Sequence, residues 1–241
     1  MAQNRLILGL TGMAFMGAWM LWQKFEPTPA SPSIPANTAL RPHFLLDNGQ
    51  TFTGGTAVCV RTQPNANPVM LTALHLFGLS GGLKTIPPDQ LDTRVRAVAG
   101  TDLSGHKLLA MASGMATQGG YPMTQQGDIS GDVIGFRVSP KFKAAVLPLA
   151  PNAPIGDHWL WLVGDVAGSK TPKQRLFPAR VLIRDRTYTS VEFREDVPLS
   201  GFSGAPLVNA RGEVAGLLIA SRGRTAWIIS ARLIYKHLMK S

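Results

Sequence analysis

Cysteine is almost absent from this chain of 241 residues, because Cys59 is the only one. An internal disulfide therefore cannot form, and the stability of the fold must come from a hydrophobic core. Charged residues are also scarce, at 16% of the chain, whereas 25 glycines and 18 prolines are present. This balance suits short strands joined by many turns better than a helical bundle, so we expect an all-β fold.

Long runs of like charge are missing as well. The net charge is +10, but no run of five or more basic residues occurs. This distribution indicates a solvated basic surface, and no motif supports binding of nucleic acid. A basic domain that binds anionic polymers or lipid stays open as a hypothesis, which a steep salt dependence of binding would reveal.

One long apolar stretch is present near the start, at residues 6–22, with Arg5 before it and Lys24 after it. Its length lies at the short end of the range that spans a bilayer as a helix. We therefore predict that residues 1–25 are a membrane anchor or signal segment, and we favour an uncleaved transmembrane helix. Arg5 favours a cytoplasmic N-terminus, which would place the remainder at the cell membrane on the periplasmic or extracellular side. Residues 26–42 contain five prolines and are predicted to be an extended linker.

The sequence PLSGFSGAPLV at residues 198–208 places a serine close to two glycines and ahead of an apolar run. Such a loop can present the Ser203 hydroxyl beside the backbone N–H groups of Gly201 and Ser203, which predicts a nucleophile and an oxyanion hole. The same pattern is also common in plain turns between strands. Partners elsewhere in the chain are therefore needed.

Two partners lie upstream of the serine. His75 follows an apolar strand at residues 69–74, and Asp132 begins another at residues 132–138. A serine hydroxyl needs a neighbouring base, which His75 can supply, and a carboxylate can fix the tautomer of that base. Asp128 competes for the carboxylate role, but we prefer Asp132 because an apolar strand follows it directly.

Three motifs now stand in the order His, Asp, Ser: TALH at residues 72–75, DVIG at residues 132–135 and SGFSGAPLV at residues 200–208. They resemble the motifs of the chymotrypsin-like serine proteases, in a form similar to bacterial members without a PDZ module, over about residues 43–238. The resemblance implies two six-stranded antiparallel β-barrels, at about residues 43–140 and 141–241, with a C-terminal helix. It also implies a trypsin-like serine endopeptidase that acts on polypeptides through an acyl-enzyme and needs no metal or cofactor.

The resemblance also has departures. Phe202 occupies the position at which trypsin-type enzymes carry the aspartate that pairs with a newly cut N-terminus, so we do not expect that activation mechanism. By the same resemblance the floor of the primary specificity pocket lies at Val197, and its walls lie at Ile219, Ala220 and Ser221. An apolar preference follows, although Asp196 beside the floor leaves a preference for Lys or Arg open.

Two other functional hypotheses compete with that of a serine endopeptidase. A catalytically silent, protease-like binding domain would explain the altered neighbours of all three motifs. The nucleophile elbow of α/β-hydrolases requires an acid and then a histidine after the serine. No aspartate follows Ser203, the only acid before His237 is Glu213, and the fifth elbow position is Ala205. We therefore reject the hypothesis that this serine loop is the nucleophile elbow of an α/β-hydrolase. The remaining histidines are predicted to be surface or structural residues: His43, His106, His158 and His237.

Overall fold

The computed structural model describes residues 27–151 and 158–239. The predicted membrane segment at residues 1–25 lies outside these ranges. Within them, no helix is long and apolar enough to cross a bilayer.

Strands dominate the described residues. Their bounds are β1 (Ala39–Leu46), β2 (Thr51–Thr53), β3 (Ala57–Arg61), β4 (Val69–Thr72), β5 (Val95–Thr101), β6 (Leu108–Met115), β7 (Ile134–Val138), β8 (Val146–Pro148), β9 (Trp159–Gly164), β10 (Arg175–Arg184), β11 (Thr189–Phe193), β12 (Pro206–Val208), β13 (Val214–Arg222) and β14 (Thr225–Ser230). One α-helix of two turns, Ala231–Leu238, follows β14, and short helical turns lie between β4 and β5.

The strands close into two barrels. Barrel 1 runs in the order β1, β5, β6, β7, β4 and β3, and closes because β3 pairs back to β1. Barrel 2 runs in the order β10, β11, β14, β13, β12 and β9 and is also closed. The pairs within both barrels are antiparallel. The prediction of two six-stranded antiparallel barrels with a C-terminal helix is therefore confirmed.

The first strand begins earlier than the expected domain boundary at residue 43. Ala39 and Leu40 already pair with β3, so the last residues of the predicted linker belong to barrel 1. Pro42 is tolerated because only β5 pairs with β1 at this position, and the missing N–H breaks no ladder on the other side. Ahead of the strand, Ile34 packs against the core, and the side-chain amide of Gln174 donates to the carbonyl of Pro35.

The assignment of β8 also differs from expectation. Residues 146–148 fall within the range predicted for barrel 2, about 141–241, but Val146 pairs in parallel with Cys59 of β3. A single bridge from Leu149 to Val214 then connects this segment to barrel 2. Periodicity alone could not reveal this, because β8 is a three-residue strand whose partner is chosen by distant packing.

Each barrel encloses an apolar core. Phe44, Phe52, Phe77 and Phe136 form a chain of aromatic contacts in barrel 1. On β9 of barrel 2, alternate residues pack into different clusters, with both tryptophans on one face and both leucines on the other. Apolar clusters therefore cover both faces of β9. Burial raises the pKa of the Cys59 thiol to about 12, so this side chain behaves as a core residue.

The C-terminal helix begins after Ser230 and packs beside β13 and β14. Ser230 precedes it in an extended conformation and makes no side-chain capping bond. Ile234 and His237 are buried on its inner face, as its apolar pattern indicates.

Candidate active site

His75 lies in a short helical turn, Leu74–Phe77, directly after β4. Its backbone N–H donates to Asp132 Oδ1 at 2.9 Å, and its ring atom Nδ1 lies 2.8 Å from Asp132 Oδ2. One carboxylate therefore fixes both the backbone and the ring of this histidine. Because Nδ1 carries the proton toward the carboxylate, Nε2 is left as the basic nitrogen.

The carboxylate of Asp132 is fully buried, with an exposure of 0%. It accepts a third N–H, from the backbone of Met123 at 3.1 Å. A buried carboxylate is costly unless its oxygens are satisfied, and three donors meet that requirement here. The orientation of Asp132 is therefore set by its surroundings before any ligand arrives.

Ser203 completes the arrangement from barrel 2. Its Oγ lies 3.0 Å from His75 Nε2, so the three predicted side chains form one continuous hydrogen-bonded chain. The serine loop (residues 198–205) consists of two successive tight turns, closed by bonds from Phe202 N to Leu199 O and from Ala205 N to Phe202 O. Gly201 and Gly204 adopt φ values of +82° and +84° in these turns, a region that favours glycine.

The backbone N–H groups of Gly201 and Ser203 donate to no acceptor in the part of the chain that the structure describes. These are the two groups predicted to form the oxyanion hole. Two free N–H groups beside a serine hydroxyl are the donors that a developing oxyanion requires.

Barrel 1 ties down the serine loop from the opposite side. Thr56 donates its backbone N–H to Ser203 O at 2.8 Å and its hydroxyl to Gly201 O at 3.0 Å. Thr72 in turn donates to the carbonyl of Thr56. The loop therefore has its carbonyl groups anchored while its two N–H groups stay available.

Gly204 makes the close approach of the two barrels possible. A Cβ atom at this position would collide with the carbonyl oxygen of Thr56 and would lie 2.5 Å from Thr72 Oγ1. Any side chain here would push the serine loop away from barrel 1.

A cleft of about 760 Å³ opens over the serine and the histidine. The predicted pocket walls Ile219, Ala220 and Ser221 all line it. Val197, the predicted floor, is not among its lining residues. Instead Val197 packs against the apolar cluster of barrel 2, because the chain enters the cleft only from Leu199 onward.

Comparison with solved structures agrees with the barrel topology. The M. tuberculosis Rv3671c protease in its active form matches with a TM-score of 0.54 and 18% identity, covering 90% of this chain and 92% of that one. The serine endoprotease from Yersinia pestis matches with a TM-score of 0.54 and 16% identity, covering 86% of this chain and 67% of that one. The fold is that of the chymotrypsin-like serine proteases. Neither a protein-family model nor a curated protein sequence matches the chain.

Phe202 supports the serine loop by apolar packing. The side chain is buried and meets Phe177 edge to face, with ring centroids 5.8 Å apart. Gly164 provides the room, because a Cβ there would lie 2.5 Å from the Phe202 ring. Apolar packing therefore supports the loop at the position where an ion pair would otherwise stand.

His237 also lies near the site. The sequence predicts only a surface or structural role for it. It is buried, and its two ring nitrogens lie 3.0 Å from Gln118 O and 2.9 Å from Ser130 O. Both carbonyls belong to the aspartate loop (residues 116–133), which leads to Asp132. A neutral imidazole has one N–H, so it donates to one of these two carbonyls at a time.

The competing aspartate, Asp128, makes its hydrogen bonds within the same aspartate loop. It accepts hydrogen bonds from the backbone N–H of Ser130 and from the Tyr121 hydroxyl, and the Ser130 bond is the main cause that lowers its pKa. His75 is not among its partners. The structure thus brings Asp132, and not Asp128, to the histidine.

The other histidines lie away from the triad. His43 on β1 contacts the hydroxyls of Thr53 and Thr101, and partial burial followed by the nearby Arg41 charge lowers its pKa. His106 and His158 are exposed.

Proposed function

We propose that this protein is a serine endopeptidase in which Asp132, His75 and Ser203 act as one catalytic triad. The observation that carries the proposal is the continuous chain of hydrogen bonds through these side chains, at 2.8 Å and 3.0 Å. The serine protease fold of the structural neighbours supports the same reaction class.

In the first half of the reaction, Ser203 Oγ attacks the carbonyl carbon of the substrate while His75 Nε2 takes the hydroxyl proton. Asp132 stabilises the resulting imidazolium, and the N–H groups of Gly201 and Ser203 receive the oxyanion. The tetrahedral intermediate then collapses, and the leaving amine takes the proton from His75. An acyl group remains on Ser203.

In the second half, His75 removes a proton from a water molecule that attacks the acyl carbon. The ester bond to Ser203 breaks, and His75 returns the proton to the serine oxygen. No metal or cofactor is part of this proposal.

The decisive experiment compares Ser203→Ala, His75→Ala and the double variant on a peptide ester. Members of a triad act as a unit, so each single change should lower turnover by roughly 10⁴-fold or more and the double change should add little. A serine-directed phosphonate should label wild-type Ser203. Independent losses that multiply would contradict the triad, and a folded wild type that is never labelled would favour the silent binding domain.

For the primary specificity we propose small or medium apolar residues before the cleaved bond. Leu218, Ile219 and Ala220 line the cleft, and no Asp or Glu is among its lining residues. Preference should be graded over Ala, Val, Leu and Met, because each matched methylene contributes about 1 to 3 kcal/mol. A peptide library varied at this one position measures it. Strong cleavage after Lys or Arg that is abolished by Asp196→Ala would overturn the assignment.

For location we propose a bacterial protein tethered to the membrane by residues 1–25, with the protease on the periplasmic or extracellular side. Protease added to spheroplasts should release the folded part by cutting ahead of Pro32, since Pro32 is buried against the fold. Protection until the membrane is lysed would reverse the proposed side.

A further inference from the structure

A second cleft, of about 710 Å³, lies on barrel 1 and shares no lining residue with the cleft at Ser203. Its centre is the outer face of β4 and β7, where Val69 pairs with Arg137. The next residues on these strands, Met70 and Phe136, point into the core of barrel 1, so Val69 and Arg137 face outward. The β3–β4 loop and the end of the C-terminal helix form the two sides.

The charge in this cleft has one sign. Arg61 and Arg137 line it, and no Asp or Glu is among the lining residues. Neither guanidinium forms an ion pair with any residue in the described ranges. The Nε atom of Arg61 is buried and has no hydrogen-bond partner there. An anion bound in this cleft would therefore meet two guanidinium groups and no competing carboxylate among the lining residues.

The remaining walls are mainly apolar, and they include Val69, Val138, Phe142 and Leu238. A fully hydrated anion such as inorganic phosphate would leave this surface uncovered. A guanidinium matches the planar geometry of a carboxylate with two parallel hydrogen bonds. A monoanion also loses less hydration on entering such a site than a dianion does.

We propose that this anion cleft binds an organic monocarboxylate, in which the carboxylate meets Arg61 and Arg137 and an apolar body covers the walls. The binding is separate from peptide cleavage and does not depend on the proposed function. Failure of the protease assignment would leave this site intact, and failure of this site would leave the protease assignment intact.

The test measures binding of radiolabelled octanoate to the full chain in nanodiscs of uncharged lipid, with empty nanodiscs subtracted. Saturable binding of one octanoate per chain is expected. Arg137→Gln should weaken it about tenfold to a hundredfold, because a charge-assisted bidentate pair is lost. The matched control is Arg96→Gln, an exposed arginine on β5 outside the cleft, which should bind octanoate as the wild type does.

A second variant tests the cleft with Arg137 left in place, so its result does not depend on whether Arg137→Gln folds. Met239 is 59% exposed at the rim, so Met239→Glu adds a carboxylate without disturbing the core and should repel octanoate. Octanamide, which has the same body without the charge, should not compete, and inorganic phosphate should compete only weakly. Absence of saturable binding, unchanged affinity in Arg137→Gln, or equal competition by phosphate or octanamide would each overturn the proposal.

Discussion

Barrel 1 and barrel 2 hold their parts of the candidate site in different ways. Barrel 1 gives the Asp132 carboxylate three N–H donors, so the orientation of His75 is fixed. Barrel 2 supplies a serine loop whose N–H groups at Gly201 and Ser203 have no acceptor among the described residues. On the proposed mechanism, barrel 1 thus fixes the base that takes a proton, whereas barrel 2 keeps two donors available for the oxyanion.

The largest effect is expected from Asp132→Asn. An asparagine offers an N–H where the histidine ring needs an acceptor, so the ring should adopt the wrong tautomer and turnover should fall by roughly 10⁴-fold. Asp128→Asn is the matched control, since Asp128 contacts only its own loop, and it should retain most of the activity. Turnover on a peptide ester measures both. Asp132→Asn activity within tenfold of wild type would show that barrel 1 does not fix the base.

Gly204→Ala should have the next largest effect, because it separates the barrels. The added Cβ meets barrel 1 backbone at a φ of +84°, and the free energy of unfolding should fall by roughly 3 to 4 kcal/mol. Gly223→Ala is the control, with a φ of +57° and no atom within 4 Å of the added Cβ, and should cost about 1 to 2 kcal/mol. Urea unfolding gives both values. Equal losses of the free energy of unfolding in the two variants would mean that the close approach of the barrels at Gly204 is unimportant.

His237→Phe tests whether the aspartate loop needs its link to the C-terminal helix. Loss of the hydrogen bonding between this ring and the carbonyls of Gln118 and Ser130 should speed amide hydrogen exchange across residues 118–130 and reduce the free energy of unfolding by about 1 to 3 kcal/mol. His237→Gln should restore part of the protection, and the exposed neighbour Lys236→Gln should change nothing. Turnover should fall about tenfold in the Phe variant. Unchanged exchange in this loop would contradict the link.

The smallest effect concerns acid stability of barrel 2. Hydrogen bonds from Arg211, followed by Asn209, hold the pKa of Glu213 below its ordinary value of 4.5. Because this pKa is lower in the folded state, the carboxylate stabilises the fold above about pH 4.5, and that contribution disappears as the pH falls further. Glu213→Gln should therefore flatten the acid side of the stability curve, by less than about 1 kcal/mol because the site is partly exposed. If the free energy of unfolding of Glu213→Gln depended on acid pH as that of the wild type does, the prediction would be wrong.

The sequence was sufficient to predict His75, Asp132 and Ser203, because each lies in a short motif whose local pattern indicates its position at a strand end. Thr56 and His237 could not be found in this way. Thr56 reaches Gly201 across 145 residues, and His237 reaches the aspartate loop across 119 and 107 residues. Such contacts depend on how two barrels and a helix dock, and single-chain periodicity carries no information on that. The same limit applies to the partner of β8 and to the position of Val197.

The anchoring of the serine loop on Thr56 also bears on the order in which the parts of the candidate site come together during synthesis of the chain. Barrel 1 is complete in sequence by residue 138, but its Thr56 has no serine loop to bind until residues 198–205 have been made and barrel 2 has closed. Contacts between such distant residues form late in folding, since the cost of closing long loops must be met first. If Asp132, His75 and Ser203 act as proposed, a nascent chain would hold the acid and the base without a usable nucleophile, and would be unable to cleave other proteins before its own synthesis is finished.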